Sequence, residues 1–389
     1  MYERLVQRAV EGSNKSLLLL GPRQVGKTTL LRSVGADLII DLSDQAAFRR
    51  YVREPEVLAH EIAAQRRSHA GVFTVLIDEV QKVPQLLDQV QHVLDGAGPD
   101  VRFLLTGSSA RKLRRGMANL LPGRIHLHYL HPLLAREIGP DFEISRALAH
   151  GTLPAIYSEA DDNTRRRTLE SYADVYLREE VQAEALVRDL GGYARMIDLV
   201  AAASGSILNL HSLSKNAQIP YETARRYLEV LEDTLLVFRV PAWSGSDRAS
   251  LVSHPRIFFF DVGVRNALLR RPLDRPLDDE RGLLLEHLVA GEIHRRIHNL
   301  WYGPKLYHYR SRADSEVDFV LEWNRELWGI EVKSTQNVTT AMFRGLNALA
   351  NRTRRLERRI VLYTGTTAQR QGDIEILPVM QFLNGLPVE

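Results

Sequence analysis

Two short stretches of this sequence place lysine, hydroxyl and carboxylate groups at spacings suited to nucleotide chemistry. The first, "GPRQVGKTT" at residues 21–29, matches G-x-x-x-x-G-K-[ST], in which glycines let successive backbone N–H groups face phosphate oxygens. Lys27 is expected to reach the β and γ phosphates of ATP, and the Thr28 hydroxyl to ligate Mg²⁺. The predicted cofactor-binding residues are Gly21, Pro22, Arg23, Gln24, Val25, Gly26, Lys27, Thr28 and Thr29.

The second stretch, "VLIDEV", ends an apolar run with two adjacent acids. Asp78 is expected to hold Mg²⁺ through water, and Glu79 to polarise the water that attacks the γ phosphate. A third apolar run, "VRFLLTGSS", reaches Ser108, which can position that water or cap a helix. Arg124 is expected to reach a neighbouring subunit's phosphates, which would require a homo-oligomer. The alternatives for that role are Arg111, Arg114 and Arg115, or no arginine at all.

The motifs "GPRQVGKTT", "IDEVQ" and "TGSSARKL" resemble those of AAA-type ATPases, in particular a bacterial and archaeal group whose loop reads G-P-R-Q-x-G-K-T. The resemblance covers roughly residues 1–140 and implies hydrolysis of Mg²⁺-ATP. A P-loop kinase acting on a small molecule is disfavoured, because Asp78 and Glu79 are adjacent and no acceptor-binding insert is visible.

A further set of charges lies in two apolar stretches near the end of the chain, "SEVDFVLEW" and "ELWGIEVKS". If these pair as a hairpin through "WNRE", Asp318 points away from a row containing Val317 and Phe319 and converges with Glu331 and Lys333. Two neighbouring carboxylates repel unless a divalent cation lies between them. Asp318 and Glu331 are therefore predicted to hold Mg²⁺ or Mn²⁺, with Lys333 orienting or deprotonating a water.

This arrangement resembles the PD-(D/E)xK nuclease fold, in which an acid on one strand precedes E-x-K on the next and a helix before them carries a glutamate. The stretch "GLLLEHLVAGEI" supplies that acid as Glu286. The ATPase group named above commonly carries such a nuclease-like domain, of uncharacterised role, at its carboxyl terminus. Three interpretations stay open: the domain cleaves DNA, it binds DNA without cleaving it, or its charged residues form a structural ion pair.

Between these sites the spacing of apolar residues predicts helices. A turn at Ile219 and Pro220 joins two of them, and the strand "LLVFRV" follows, which is the order of a winged helix. Arg225 and Arg226 would then face DNA, although neighbouring glutamates equally favour a module that only packs domains together.

The bulk composition is typical of folded domains, with 389 residues, 44% hydrophobic, 25% charged and a net charge of +3. The absence of cysteine excludes disulfides, thiolate metal sites and cysteine nucleophiles. No apolar run approaches a membrane span and no signal peptide is visible, so a cytoplasmic location is expected. The expected fold class is α/β, with a P-loop AAA-type ATPase domain (1–140), a helical lid (141–200), a winged-helix-like domain (201–248) and a PD-(D/E)xK-like domain (249–389).

The leading functional prediction is a Mg²⁺-dependent ATPase that acts on DNA. The alternative is a non-nucleolytic, ATP-dependent switch or scaffold whose carboxyl-terminal half binds protein partners.

Overall fold

The computed structural model describes residues 2–97, 100–108, 123–176, 189–245, 254–271, 278–299, 303–311 and 315–386. The chain divides into two compact units, the first formed by Met1–His131 with Val230–Leu235 and the second by Pro132–Glu229 with Leu236–Glu389. The domain boundaries expected at residues 140, 200 and 248 stay predictions.

The first unit is built on a five-stranded parallel sheet whose strands follow the order β2-β3-β4-β1-β5. Its strands are β1 (Ser16–Leu20), β2 (Leu38–Asp41), β3 (Phe73–Asp78), β4 (Val101–Gly107) and β5 (Ile125–Tyr129). Its helices are α1 (Leu5–Glu11), α2 (Lys27–Val34), α3 (Gln45–Arg53), α4 (Val57–Arg66) and α5 (Leu86–Ala97). The central strands are buried along their length, as expected for a parallel sheet covered on both faces. Because parallel strands end at one edge, the predicted loop and acids meet there.

The second unit begins with a helical segment. Its helices are α6 (Ala135–Ile138), α7 (Ile144–His150), α8 (Pro154–Ser158), α9 (Asp162–Ser171), α10 (Leu190–Ala202) and α11 (Leu210–Ala217). The next helix, α12 (Tyr221–Asp233), begins in the second unit and ends in the segment Val230–Leu235 of the first. A short antiparallel ribbon follows, made of β6 (Val237–Val240) and β7 (Arg256–Phe259). Helix, turn, helix and strand thus occur in the predicted order from α11 to β6, while a DNA-binding role for them stays a prediction.

A six-stranded mixed sheet completes the second unit, in the order β12-β13-β11-β10-β9-β8. Its strands are β8 (Lys305–Arg310), β9 (Glu316–Trp323), β10 (Glu326–Lys333), β11 (Leu356–Tyr363), β12 (Gln369–Gln371) and β13 (Ile374–Pro378). Its helices are α13 (Val262–Leu268), α14 (Arg281–Ile297), α15 (Arg344–Arg352) and α16 (Val379–Gly385). The predicted hairpin is confirmed: β9 and β10 pair antiparallel. Asn324 and Arg325 turn between them with φ of 49° and 72°, as a two-residue hairpin turn requires.

The predicted alternation of faces in β9 is wrong at one point, because the strand carries a bulge opposite β8. Tyr307 lies opposite Val320, whereas Tyr309 lies opposite Val317. An extra residue in one strand shifts the alternation beyond it. Val317 and Val320 consequently belong to one buried cluster, in place of the predicted row of Val317 and Phe319. The bulge lies between Val317 and Val320, the part of the strand that contains Asp318.

Gly345 lets α15 pack closely on β9. A Cβ atom at this position would lie 1.8 Å from the carbonyl oxygen of Glu316. We expect Gly345→Ala to destabilise the fold by about 2 kcal/mol and to lower the melting temperature measured by differential scanning calorimetry. Gly282 in α14 is the matched control, since a Cβ there meets nothing within 4 Å and alanine favours the helix. Equal melting temperatures for the two variants would contradict this packing.

Candidate functional site

The loop between β1 and α2 has the backbone shape of an anion cradle. Gln24 and Gly26 have positive φ values of 62° and 94°, and α2 begins at Lys27. Left-handed residues within a turn aim successive N–H groups to one side, and the positive end of the helix adds to the attraction for an anion. Only glycine fits at position 21, because a Cβ atom there would lie 2.1 Å from the carbonyl oxygen of Leu130. The loop can therefore surround phosphate oxygens with N–H donors.

Lys27 and Thr28 stand at the start of α2 and are held in place by local partners. The Lys27 ammonium donates to the carbonyl oxygens of Gly21 and Pro22, each at 2.9 Å. The Thr28 hydroxyl lies 2.8 Å and 3.0 Å from the two carboxylate oxygens of Asp78. The structure thus brings three predicted residues to the edge of the sheet. They supply the ammonium of Lys27, the hydroxyl of Thr28 and the carboxylate of Asp78.

These oxygen groups fit a hard divalent cation. Asp78 is only 4% exposed. Its carboxylate accepts hydrogen bonds from the hydroxyls of Thr28 and Thr106, which are neutral donors. A buried carboxylate solvated by neutral groups keeps its charge uncompensated, which is costly unless a cation binds. Thr28 and Asp78 would therefore hold Mg²⁺, which prefers such ligands.

Glu79 follows Asp78 in a strained backbone conformation, with φ of 58° and ψ of 44°. This left-handed geometry is uncommon for a residue with a side chain and clusters at functional sites. It is fixed by the Glu79 N–H, which donates to the Thr106 hydroxyl at 2.9 Å. The side-chain amide of Gln81 donates to the Glu79 carboxylate and, at 3.0 Å, to the Ser108 hydroxyl. Gln81 was missed as a site residue, although it ends the "IDEVQ" motif.

A second residue that the sequence reasoning missed is Arg4, which fastens the loop from the amino terminus of α1. Its guanidinium donates to the carbonyl oxygen of Val25 at 2.7 Å and to that of His131 at 2.5 Å. The side chain is buried. No motif marks it, because its partners lie 21 and 127 positions away along the chain.

Arg4→Gln is expected to weaken ATP binding by about tenfold, since charge-assisted hydrogen bonds of this kind contribute roughly 1.5–3 kcal/mol. Turnover at saturating ATP should change little, because Arg4 positions the loop and touches no reacting atom. Steady-state kinetics would separate the two effects as a raised KM with a near-normal kcat. Arg8→Gln, which removes an exposed arginine of the same helix, is the control. An unchanged KM in Arg4→Gln would remove Arg4 from the account.

Arg124 lies in the turn before β5, where its guanidinium is 2.6 Å from the carboxylate of Asp95 in α5. The two side chains are 42% and 45% exposed, so water weakens the pair. Phosphates of another subunit can compete for such an arginine, and its action in trans stays a prediction. The other arginines considered for this role, Arg111, Arg114 and Arg115, lie outside the described residues.

In the second unit two of the predicted acids, Glu286 and Asp318, contact an arginine that was not predicted. The Lys333 ammonium donates to Glu331 Oε1 at 2.6 Å, and Asp318 accepts from the N–H of Val332 at 2.8 Å. The guanidinium of Arg256 donates to Glu286 at 2.7 Å and lies 3.8 Å from an oxygen of Asp318. We call the five residues Arg256, Glu286, Asp318, Glu331 and Lys333 the carboxylate cluster.

Burial dominates the electrostatics of the carboxylate cluster. Burial and the negative charge of Asp318 raise the pKa of both Glu286 and Glu331 to about 7. Burial also raises the pKa of Asp318, against the opposing effect of Lys333. Burial lowers the pKa of Lys333, but the charges of Asp318 and Glu331 together bring it above its ordinary value. Glu286 and Glu331 therefore resist ionisation even with the positive charges of the cluster nearby.

One oxygen of the carboxylate cluster has no donor. Glu331 Oε2 is buried and lacks a hydrogen-bond partner among the residues that the structure describes. A buried oxygen without a donor is costly, and a metal ion or a proton relieves that cost. The arrangement is therefore chemically suited to a hard cation beside Asp318 and Glu331.

Comparison with protein families agrees with the geometry of the first unit. Residues 13–139 match the profile described as an AAA domain. Residues 141–275 and 281–382 match two other profiles, each described as a domain of unknown function. The phosphate loop at the edge of a parallel sheet agrees with this AAA match in the amino-terminal part of the chain.

The whole chain is similar to curated bacterial proteins that are themselves described as uncharacterised. One from Mycobacterium tuberculosis is 27% identical over 352 residues, which span 90% of this chain and 76% of that protein. One from Haemophilus influenzae is 21% identical over 358 residues, covering 85% of this chain and 86% of that protein. The similarity extends across both units and assigns no activity.

Solved structures overlap the chain only loosely. Aeropyrum pernix ORC1 in complex with DNA is 14% identical and covers 69% of this chain and 90% of its own, with a TM-score of 0.25. The Thermotoga maritima RuvB Holliday junction branch migration motor is 16% identical and covers 61% of this chain and 86% of its own, with a TM-score of 0.29.

Among the helices that the structure describes, none has the length and apolar character that a membrane span requires.

Proposed function

We propose that the protein binds and hydrolyses Mg²⁺-ATP in its first unit and acts on DNA through its second. The observation that carries the ATPase proposal is the contact of the Thr28 hydroxyl with the buried Asp78 carboxylate, at 2.8 Å, beside Lys27 and the phosphate loop. Groups of this type, so placed, hold the cation and the phosphates of a nucleotide together.

The residues of the first unit have distinct roles in this proposal. The Lys27 ammonium leaves the carbonyl oxygens of its own loop and binds the β and γ phosphates, while Thr28 and Asp78 hold the cation. Glu79 accepts a proton from the water that attacks the γ phosphorus, and ADP leaves with the bridging oxygen. Gln81 keeps the Glu79 carboxylate aligned with Ser108. Bound Mg²⁺ supplies neutralisation of the charge that develops on the phosphate oxygens.

The DNA proposal is supported by the helix, turn, helix and strand from α11 to β6. Arg225 is exposed in α12 and pairs with Glu222 at 2.6 Å and with Glu229 at 3.9 Å. Exposed ion pairs of this kind are weak, so DNA phosphates can displace the glutamates. Arg226, the next residue, adds a second positive charge on the same helix.

The carboxylate cluster supports a metal-dependent phosphodiesterase as a further part of the function. Asp318 and Glu331 would hold Mg²⁺ or Mn²⁺, and Lys333 would orient or deprotonate the attacking water. A non-nucleolytic switch or scaffold that binds protein partners is the second candidate. It is favoured by the ion pairs of Arg256 with Glu286 and of Lys333 with Glu331, which already neutralise two of the acids.

The proposal is tested by phosphate release from ATP, measured with Mg²⁺, with EDTA, and with Mg²⁺ plus plasmid or single-stranded DNA. We expect release that stops in EDTA and changes in rate when DNA is present. No release under any condition would contradict the ATPase proposal. Release that DNA leaves unchanged, with no DNA binding by fluorescence anisotropy, would favour the switch or scaffold. A cytoplasmic location and a homo-oligomer belong to the same proposal.

A further inference from the structure

Arg256, the first residue of β7, is fixed on several sides within the carboxylate cluster. Its Nε donates to the carbonyl oxygen of Gly205 at 2.7 Å, and its Nη1 to that of Asp318 at 3.4 Å. Its Nη2 donates to a Glu286 carboxylate oxygen at 2.7 Å. The guanidinium also lies over the rings of Phe258 and Phe319, at 5.6 Å and 6.0 Å from their centroids. Only 7% of the surface of Arg256 is exposed, so its side chain is held in the protein interior.

This guanidinium places a positive charge beside two of the buried acids. It bridges two acids from different elements, Glu286 in α14 and Asp318 in β9. Buried acids so close together need a positive charge between them, and the fork of an arginine can contact both. Lys333 provides the second positive charge, at Glu331. When all five groups of the cluster are ionised, the three carboxylates carry one more negative charge than Arg256 and Lys333 carry positive charge.

We infer that Arg256 is the resident counter-ion of the carboxylate cluster, and that a divalent cation binds there only in competition with it. A cation at Asp318 and Glu331 must approach a fixed guanidinium that repels it and that already satisfies part of the negative charge. The cluster is consequently a weak metal site in the resting protein. This inference rests on the proposed metal site and says what limits its occupancy.

The test is Mn²⁺ binding, measured by electron paramagnetic resonance of free Mn²⁺ without nucleotide or DNA. The full chain carries Asp78→Asn throughout, so that the first unit does not contribute a metal site. We expect additional Arg256→Gln to tighten Mn²⁺ binding by about tenfold or more, because it removes a buried positive charge that repels the ion. Adding Glu331→Gln should abolish the gain, which places the ion in the cluster.

Three further variants complete the test. Arg256→Met keeps an apolar side chain beside the rings of Phe258 and Phe319 and replaces Arg256→Gln if that variant fails to fold. Arg256→Lys keeps the charge and should bind Mn²⁺ about as weakly as the parent protein. Arg355→Gln, which removes an arginine paired with Glu322 of β9 outside the cluster, should also leave binding unchanged.

Two results would overturn the inference. One is Mn²⁺ binding by a folded Arg256→Gln or Arg256→Met variant that is no tighter than that of the parent. The other is micromolar Mn²⁺ binding at Glu331 by the parent protein, in which Arg256 is intact. Because the assay contains neither ATP nor DNA, its failure is distinct from an absence of phosphate release, which would instead count against the proposed ATPase.

Discussion

Replacing Glu79 with glutamine is expected to lower ATP turnover by about 10²- to 10⁴-fold, the range that a positioned general base contributes. Glutamine has nearly the same shape and keeps a side-chain oxygen that can accept from Gln81, but it cannot take a proton from water. The affinity for Mg²⁺-ATP should stay close to that of the wild type, because Lys27, Thr28 and Asp78 are untouched. Single-turnover kinetics and equilibrium binding on the same preparation would measure both quantities.

Glu11→Gln serves as the control for that variant, since Glu11 is an exposed acid of the first unit, at the end of α1. Its turnover should match the wild type. Normal turnover in Glu79→Gln would show that another group accepts the proton, and a loss of binding would show that the substitution damages the loop.

The second large effect is expected at Lys333. If the carboxylate cluster cleaves DNA, Lys333→Ala should reduce Mn²⁺-dependent cleavage of plasmid or single-stranded DNA by at least about 10²-fold, as loss of a group that activates water does. Phosphate release from ATP should persist, because Lys333 contributes nothing to the phosphate loop. Gel-based cleavage assays and phosphate release would be measured side by side.

Lys305→Ala is the matched control, because Lys305 is an exposed lysine of the same sheet, in β8. Cleavage that continues in Lys333→Ala would remove this lysine from the mechanism. Wild-type protein that cleaves no DNA with either Mg²⁺ or Mn²⁺ would favour the non-nucleolytic switch.

The parts of both sites that are formed by short contiguous stretches were predictable, because the residues that define them are adjacent in the sequence. The phosphate loop and the pair Asp78 and Glu79 depend on strand ends, which short apolar runs identify. The hairpin that carries Asp318 and Glu331 was predictable for the same reason, since its turn is only two residues long.

What escaped prediction depends on contacts between distant segments. Arg256 is separated by 30 positions from Glu286 and by 62 from Asp318, and no pattern in the sequence joins them. Arg4 is likewise separated by 21 positions from Val25, the residue of the loop that it contacts. The bulge in β9 arises from pairing with β8, so the strand's own alternation could not reveal it. A lone arginine next to an apolar strand, as in "HPRIFFF", was the one available signal for Arg256.

The central claim is that the first unit binds Mg²⁺-ATP through Lys27, Thr28 and Asp78. Isothermal titration calorimetry of Mg²⁺-ATP into wild-type protein and into Lys27→Ala tests it most directly. We predict saturable binding by the wild type and a loss of at least about tenfold in affinity for the variant, because a buried charge-assisted contact with the phosphates disappears. No heat of binding by the wild type, or equal affinity of Lys27→Ala, would contradict the claim.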